Sequence, residues 1–163
     1  MTLPSRARVV IVGGGVIGCS IAYHLARRGW TDVVLLEQHE LTSGTTWHAA
    51  GLVTQARPTH GTRAVVARSL EVFRSLEADT GLSTGYVETG TLHLATNADR
   101  WHELLLQASA SKPQGIEVEI LDVDATVAKY PLLNPDGVVG SLFYPYEGRA
   151  TATDLTISLA KGA

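Results

Sequence analysis

Three glycines at Gly13, Gly15 and Gly18 constrain this chain more than any other feature. They follow residues 7–12 (ARVVIV), an apolar, β-branched run of the kind that forms a strand buried on both faces. From Val16 to Arg28 the pattern becomes helical, with Ile17, Ile21 and Leu25 spaced by four and Arg27 and Arg28 standing before Gly29. Residues 32–37 (DVVLLE) form a second apolar run. Strand, helix and strand in this short span predict a right-handed βαβ unit with parallel strands.

In that context the glycine spacing is the dinucleotide-binding fingerprint. Gly13 permits a tight turn, Gly15 lets backbone approach a pyrophosphate, and Gly18 lets the helix pack close to the strand. The helix start at Val16 and Ile17 offers free N–H groups and the positive end of the helix dipole to phosphates. Glu37 stands 19 residues after Gly18, at the end of the second strand. A carboxylate there accepts from a ribose hydroxyl and repels a 2′-phosphate, which disfavours NADP. Gln38 is counted with it as cofactor-binding. The fingerprint alone does not separate NAD from FAD.

Composition narrows the classes. Thirteen basic and 16 acidic residues give a net charge of −3, with no basic footprint for nucleic acid. At 45% hydrophobic and 18% charged, the chain can bury a core. Cys19 is the only cysteine, so internal disulfides, CxxC pairs and multi-cysteine zinc sites are excluded. Arg6 and Arg8 precede an apolar stretch, residues 9–21, but Gly13, Gly14 and Gly15 interrupt it as a signal-peptide core. No stretch reaches the roughly 18 apolar residues of a membrane span. A cytoplasmic protein without membrane or nucleic-acid partners is expected.

Further along, residues 38–62 are polar, glycine-rich and irregular, and residues 63–79 return to helical spacing through Val66, Leu70, Phe73 and Leu76. Residues 86–96 read as a strand with a possible bend at Gly90. Asn97 can cap a helix carrying Trp101, Leu104, Leu105 and Ala108, which ends near Pro113. Ile116, Val118 and Ile120 alternate with acids as a half-exposed strand, and residues 138–146 form another. Thr153 opens a last helix that is still running at Ala163.

Several motifs receive ordinary structural readings. Gly81-Leu82-Ser83-Thr84-Gly85 matches a nucleophile elbow in letters only, because a helix precedes it and a strand follows. His39-Glu40 and His102-Glu103 lack the second histidine of a zinc-protease helix. His24, His60, His93 and His102 are scattered, and Cys19 is expected to be inert core.

The segment Leu41-Thr42-Ser43-Gly44-Thr45-Thr46-Trp47-His48-Ala49-Ala50-Gly51-Leu52 resembles the flavin-attachment segment of the dimethylglycine dehydrogenase and sarcosine dehydrogenase family. These are amine-oxidising flavoproteins of the D-amino-acid-oxidase-like superfamily. The resemblance continues through Thr89-Gly90-Thr91-Leu92, Tyr130-Pro131-Leu132-Leu133 and Asp154-Leu155-Thr156. It implies that His48 carries FAD covalently, through an imidazole nitrogen bonded to the 8α-methyl carbon of the ring. Around it, Ser43, Gly44, Thr45 and Thr46 can bring hydroxyls and N–H groups to the pyrophosphate, while Ala49, Ala50 and Gly51 leave room for a flat ring beside Leu52.

The implied fold class is α/β: an FAD-binding, Rossmann-like βαβ unit followed by the start of a mixed α+β substrate domain, incomplete in this chain. The expected domains are residues 1–82 for FAD binding with the attachment loop and next helix, 83–149 for the start of the substrate domain, and 150–163 for a truncated returning helix. The implied function is oxidation of a small-molecule amine, dimethylglycine or sarcosine, by hydride transfer to FAD. Tetrahydrofolate enters as a possible second cofactor of the complete protein, no metal is expected, and catalytic residues are expected outside this stretch. Two alternatives stay open. One is a regulatory protein on the same fold, like the regulatory subunit of pyruvate dehydrogenase phosphatase; the other is an amine or amino-acid oxidase with noncovalent FAD.

Overall fold

The β-branched run near the N-terminus becomes β1 (Val9–Val12), followed by α1 (Val16–Arg27) and β2 (Val33–Leu36). The computed structural model describes residues 4–55, 57 and 59–163, with the side chain of His60 excepted. Residues 1–3 of the expected first domain, Ala56 and Pro58 of the irregular stretch and the His60 imidazole therefore lie outside the described residues. After a single 3-10 turn at Thr46–His48 come β3 (Leu52–Val53), α2 (His60–Thr80), β4 (Thr91–Ala95), α3 (Ala98–Ser111), β5 (Glu119–Leu121), α4 (Val123–Lys129), β6 (Gly140–Tyr144), β7 (Gly148–Arg149) and α5 (Ala152–Gly162). By internal contacts the chain divides into two units: residues 1–52, 67–87 and 149–163 in one, residues 53–66 and 88–148 in the other.

In the first unit β1 and β2 pair in parallel, in register from Val9↔Val33 to Val12↔Leu36, as the βαβ reading requires. Cover on both faces does not follow. Ile11 is buried, whereas Val12 on the opposite face is 84% exposed and Val10 is exposed beside it. The helix turns a different stripe inward as well. Gly18, Cys19, Ala22 and Tyr23 are buried, while Ile17 is 72% exposed and Ile21 is also exposed. Both stripes share the helical period, so spacing could not choose between them. The small residues face inward because the helix lies close against β1 and packs on α5. Cys19 and Tyr23 join Leu155 and Leu159 of α5 and Val72 and Leu76 of α2 in one apolar cluster. The stripe expected in α2 is largely the buried one: Leu70 and Leu76 are in the core and Phe73 packs against it. Gly81, at φ +69°, ends that helix by donating its N–H to the Glu77 carbonyl at 2.8 Å.

The second unit is built on an antiparallel sheet ordered β4-β6-β5. Its first strand begins at Thr91 rather than residue 86, because Gly90 bends at φ +70° where the Phe143 ring occupies the space of a Cβ. Asn97 caps α3 as expected, its Oδ1 accepting from the Arg100 N–H at 2.8 Å. Asp122 caps α4 in the same way through the Ala125 N–H. That helix escapes a sequence reading because its seven residues are too few to display a period. The alternation at 116–120 is also corrected. Only Glu119–Leu121 pairs, Leu121 is buried and Ile120 is exposed, while Ile116 and Val118 pack on the core from outside the strand. The core here comprises Ala95, Leu104, Ala108, Leu142 and Tyr144, with Trp101 against it.

Candidate cofactor site

Three backbone requirements meet where β1 runs into α1. Gly13 adopts φ +108° and donates its N–H to the Leu36 carbonyl at 2.8 Å, tying the turn to β2. At Gly18 a Cβ would stand 1.9 Å from the Gly13 carbonyl oxygen and 3.3 Å from Ile11 Cγ2, so the close approach expected of that glycine is present. Gly15, extended at φ −81° and ψ −177°, is the residue before the first helical turn.

The absent side chain of Gly15 admits a protein group: a Cβ there would lie 2.9 Å from Thr46 Oγ1. That hydroxyl accepts the Val16 N–H at 3.0 Å, so a side chain 30 residues away caps α1. The expectation that Val16 presents a free N–H to phosphate is thereby corrected. Ile17 and Gly18 retain first-turn N–H groups without intrahelical partners, and no acidic residue stands in that turn. Thr46, expected as a direct phosphate ligand, is buried and accepts from the helix, which leaves its hydroxyl proton to donate.

Glu37 braces the same loop. Its Oε2 accepts the Gly14 N–H at 2.6 Å and its Oε1 accepts the His39 N–H at 3.0 Å. The Gly14 bond first and the His39 bond second hold this carboxyl below the ordinary carboxylate range. A carboxylate has about four acceptor positions, so capacity for a ribose hydroxyl remains.

Gly14, which the fingerprint leaves as a variable position, is the missed residue. Its carbonyl accepts the Thr42 N–H at 3.1 Å, and a Cβ on it would stand 2.5 Å from Leu41 Cδ2. The run of three glycines was the available signal. Thr42 itself is buried at φ +72°, a left-handed conformation uncommon for a threonine.

Gln38 is exposed, as are Ser43, Gly44, Thr45, His48, Ala50 and Leu52 of the attachment segment. The Thr46–His48 turn is closed by the His48 N–H donating to the Thr45 carbonyl at 3.1 Å. The Trp47 and His48 rings lie 3.9 Å apart, tilted by 33°. Gly51 departs from its expected part. Its φ is +74° and a Cβ would meet the Ala150 carbonyl oxygen at 2.2 Å, so its bareness accommodates backbone rather than a ring. The structure thus joins Gly13, Gly15, Val16, Gly18, Glu37 and Thr46 in one contact set, with His48 on the turn that Thr46 anchors. Bare glycines, helix-start N–H groups without intrahelical partners and spare acceptors on Glu37 suit a dinucleotide such as FAD.

Other candidates take structural places. Burial pushes the fully buried Cys19 thiol up, and Glu37 adds to it. Burial first, then Arg68, Arg28 and Arg27, push the His24 imidazole down. The Gly81–Gly85 stretch is a turn after α2 in which Gly85, at φ +61°, lies against Thr151. His93 is less bland than expected: its Nε2 lies 3.8 Å from Oε2 of the buried Glu147, whose Oε1 accepts the Gln55 N–H at 2.6 Å. Among the described residues no group of His, Cys, Asp and Glu is placed to hold a metal ion, and no helix is long and apolar enough to cross a membrane.

Over residues 8–163 the chain matches the family described as FAD dependent oxidoreductase. It is 42% identical to sarcosine dehydrogenase, mitochondrial, of Homo sapiens over 99% of this chain and 18% of that protein. To dimethylglycine dehydrogenase, mitochondrial, of Rattus norvegicus it is 40% identical over 97% of this chain and 18% of that protein. The pyruvate dehydrogenase phosphatase regulatory subunit, mitochondrial, of Mus musculus is 37% identical over 100% of this chain and 19% of its own length. Among solved structures, glycine oxidase from Bacillus cereus superposes with a TM-score of 0.85 at 30% identity, over 96% of this chain and 43% of that one. The chain therefore spans under a fifth of the length of these curated relatives.

Proposed function

The chain belongs to the FAD dependent oxidoreductase family, and from that premise we propose that it supplies the cofactor-binding start of an amine oxidoreductase acting on N-methylated glycine-type substrates. The carrying observation is the contact set at the start of α1: Gly13 left-handed with open space beside it, Gly15 and Gly18 closely approached by Thr46 and by the Gly13 carbonyl, Glu37 at the end of β2, and the His48 turn anchored there by Thr46. The substrate class rests on the relatives, whose names give sarcosine and dimethylglycine. Bound FAD supplies a hydride acceptor.

This chain's residues bind and orient. The Ile17 and Gly18 N–H groups and the Thr46 hydroxyl would hold phosphate oxygens, Glu37 a ribose hydroxyl, and the exposed Ser43, Gly44 and Thr45 would bring further hydroxyls and N–H groups to the pyrophosphate. His48 would carry the flavin covalently, since a neutral imidazole is the nucleophile such a bond requires. The oxidised amine is an iminium, which water converts to formaldehyde and the demethylated amine, or which tetrahydrofolate traps elsewhere in the complete protein. A cytoplasmic setting, the rest of the polypeptide as partner, and no membrane or nucleic acid complete this reading.

Acid-denatured full-length protein should retain yellow, fluorescent flavin, and His48→Ala should lose it. Release of unmodified FAD from the wild type would sink the attachment and favour noncovalent binding. Substrate profiling should then show turnover of sarcosine or dimethylglycine. The similarity to a phosphatase regulatory subunit supports a second, non-enzymatic reading. Absence of both flavin and turnover in the full-length protein would favour it.

A further inference from the structure

The turn that carries His48 is fastened at both ends to backbone distant in sequence. At its leading end the Val16 N–H donates to Thr46 Oγ1 at 3.0 Å, an approach open because Gly15 bears no side chain. At its trailing end the Ala150 N–H donates to the Gly51 carbonyl at 2.8 Å, and the left-handed Gly51 sits where any Cβ would strike the Ala150 carbonyl oxygen. Between these ties the turn closes on itself, through the His48 N–H to the Thr45 carbonyl and the Ala49 N–H to the Thr46 carbonyl, both at 3.1 Å. Thr46 is buried, whereas Trp47 and His48 are exposed, so the anchor is covered and the reactive ring is presented.

We propose that Thr46 and Gly51 are positioning residues for His48, docking its turn onto α1 and onto Ala150 in the protein before any cofactor arrives. The inference rests on the reading of His48 as the attachment point. Its physical basis is preorganisation. A histidine on an untethered loop would have to be ordered as its bond to the flavin forms, and two ties place that ordering in the folding of the chain instead. Neither residue needs to touch the flavin ring to act in this way. Thr46→Val keeps the shape and deletes the acceptor, leaving the Val16 N–H uncapped; Thr46→Ser keeps the acceptor. Gly51→Ala places a methyl against a carbonyl oxygen at a φ that alanine resists.

The test uses the full-length protein in two forms. In apoprotein made under riboflavin depletion, amide exchange at Val16, His48 and Ala49 should quicken roughly fivefold or more in Thr46→Val, the factor expected for a lost helix cap. Thr46→Ser should stay near the wild type, and Gly51→Ala should quicken Ala150. In flavin-replete protein, total bound flavin and acid-stable flavin are then measured separately. Positioning predicts that Thr46→Val and Gly51→Ala lower the share of the bound flavin that is attached, Gly51→Ala without the loss of total binding that the missing Thr46 hydroxyl adds in Thr46→Val, with Thr46→Ser restoring the share that Thr46→Val loses. Wild-type exchange and attachment in Thr46→Val would overturn the proposal. So would a wild-type share of attached flavin in Gly51→Ala, or failure of the serine to rescue. A wild type that releases all its flavin on denaturation would instead overturn the attachment reading itself, a failure visible before any variant is made.

Discussion

Around the glycine loop of the first unit, order comes from backbone groups and polar side chains that meet across long stretches of chain. Glu37 reaches Gly14, 23 positions back, and Thr46 reaches Val16, 30 positions back, while within the turn itself Gly18 admits the Gly13 carbonyl. The sheet of the second unit is organised otherwise. Asn97 and Asp122 cap helices only three residues ahead, and Ala95, Leu104, Ala108, Leu142 and Tyr144 form a fully enclosed apolar cluster. The contrast lies in how each region is held. A site that receives a charged, planar ligand keeps donors and bare backbone accessible, so its geometry comes from hydrogen bonds and close approach. A sheet with an enclosed apolar core relies on burial, which is stronger per residue and less directional.

Three experiments probe that contrast. The largest effect is expected from Gly18→Ala, because its methyl would meet a backbone oxygen that cannot rotate aside. A loss of about 4 kcal/mol or more, with loss of bound flavin, should appear in denaturant unfolding of the full-length protein. Wild-type stability and flavin content in this variant would show that close approach does not hold the first unit. Next comes Leu142→Ala. This side chain is fully buried, and a cost of about 3 kcal/mol is expected. Hydrogen exchange should quicken in β4, β5 and β6 while the Gly14 and Val16 amides keep their protection; joint loss would mean the two regions are not separately held.

The smallest effect is a pH dependence. Backbone donors lower the Glu37 pKa in the folded chain, so its contribution is complete above the carboxyl's unfolded value and disappears as pH falls through the depressed folded value. Exchange at the Gly14 and His39 amides should therefore rise, relative to intrinsic rates, on acidification. Glu37→Gln should flatten that profile, and an unchanged profile would remove Glu37 as the brace.

Much of this was readable along the chain, wherever one short stretch supplies its own partner. The parallel pair β1 and β2, the cap at Asn97 and the tight turn at Gly13 are all such cases. Misreadings fell where the partner lies elsewhere. Two stripes on α1 have equal period, and contact with β1 and α5 selected the one with small residues, leaving Ile17 and Ile21 outside. Gly51 looked like space for a ring and is space for Ala150. The His93–Glu147 pair joins positions with no periodic relation.

By itself the sequence determined that a glycine-bearing turn would join a strand to a helix, with an acid at the end of the next strand. Backbone sterics and side-chain alternation act over a few residues and leave a local pattern. Tertiary structure alone decided that Thr46 caps α1, that Glu37 braces Gly14, and that the turn bearing His48 is tied at both ends. Those outcomes depend on which hydroxyl, carboxylate or carbonyl arrives within about 3 Å of a waiting N–H, a directional requirement that only the folded positions of both partners satisfy.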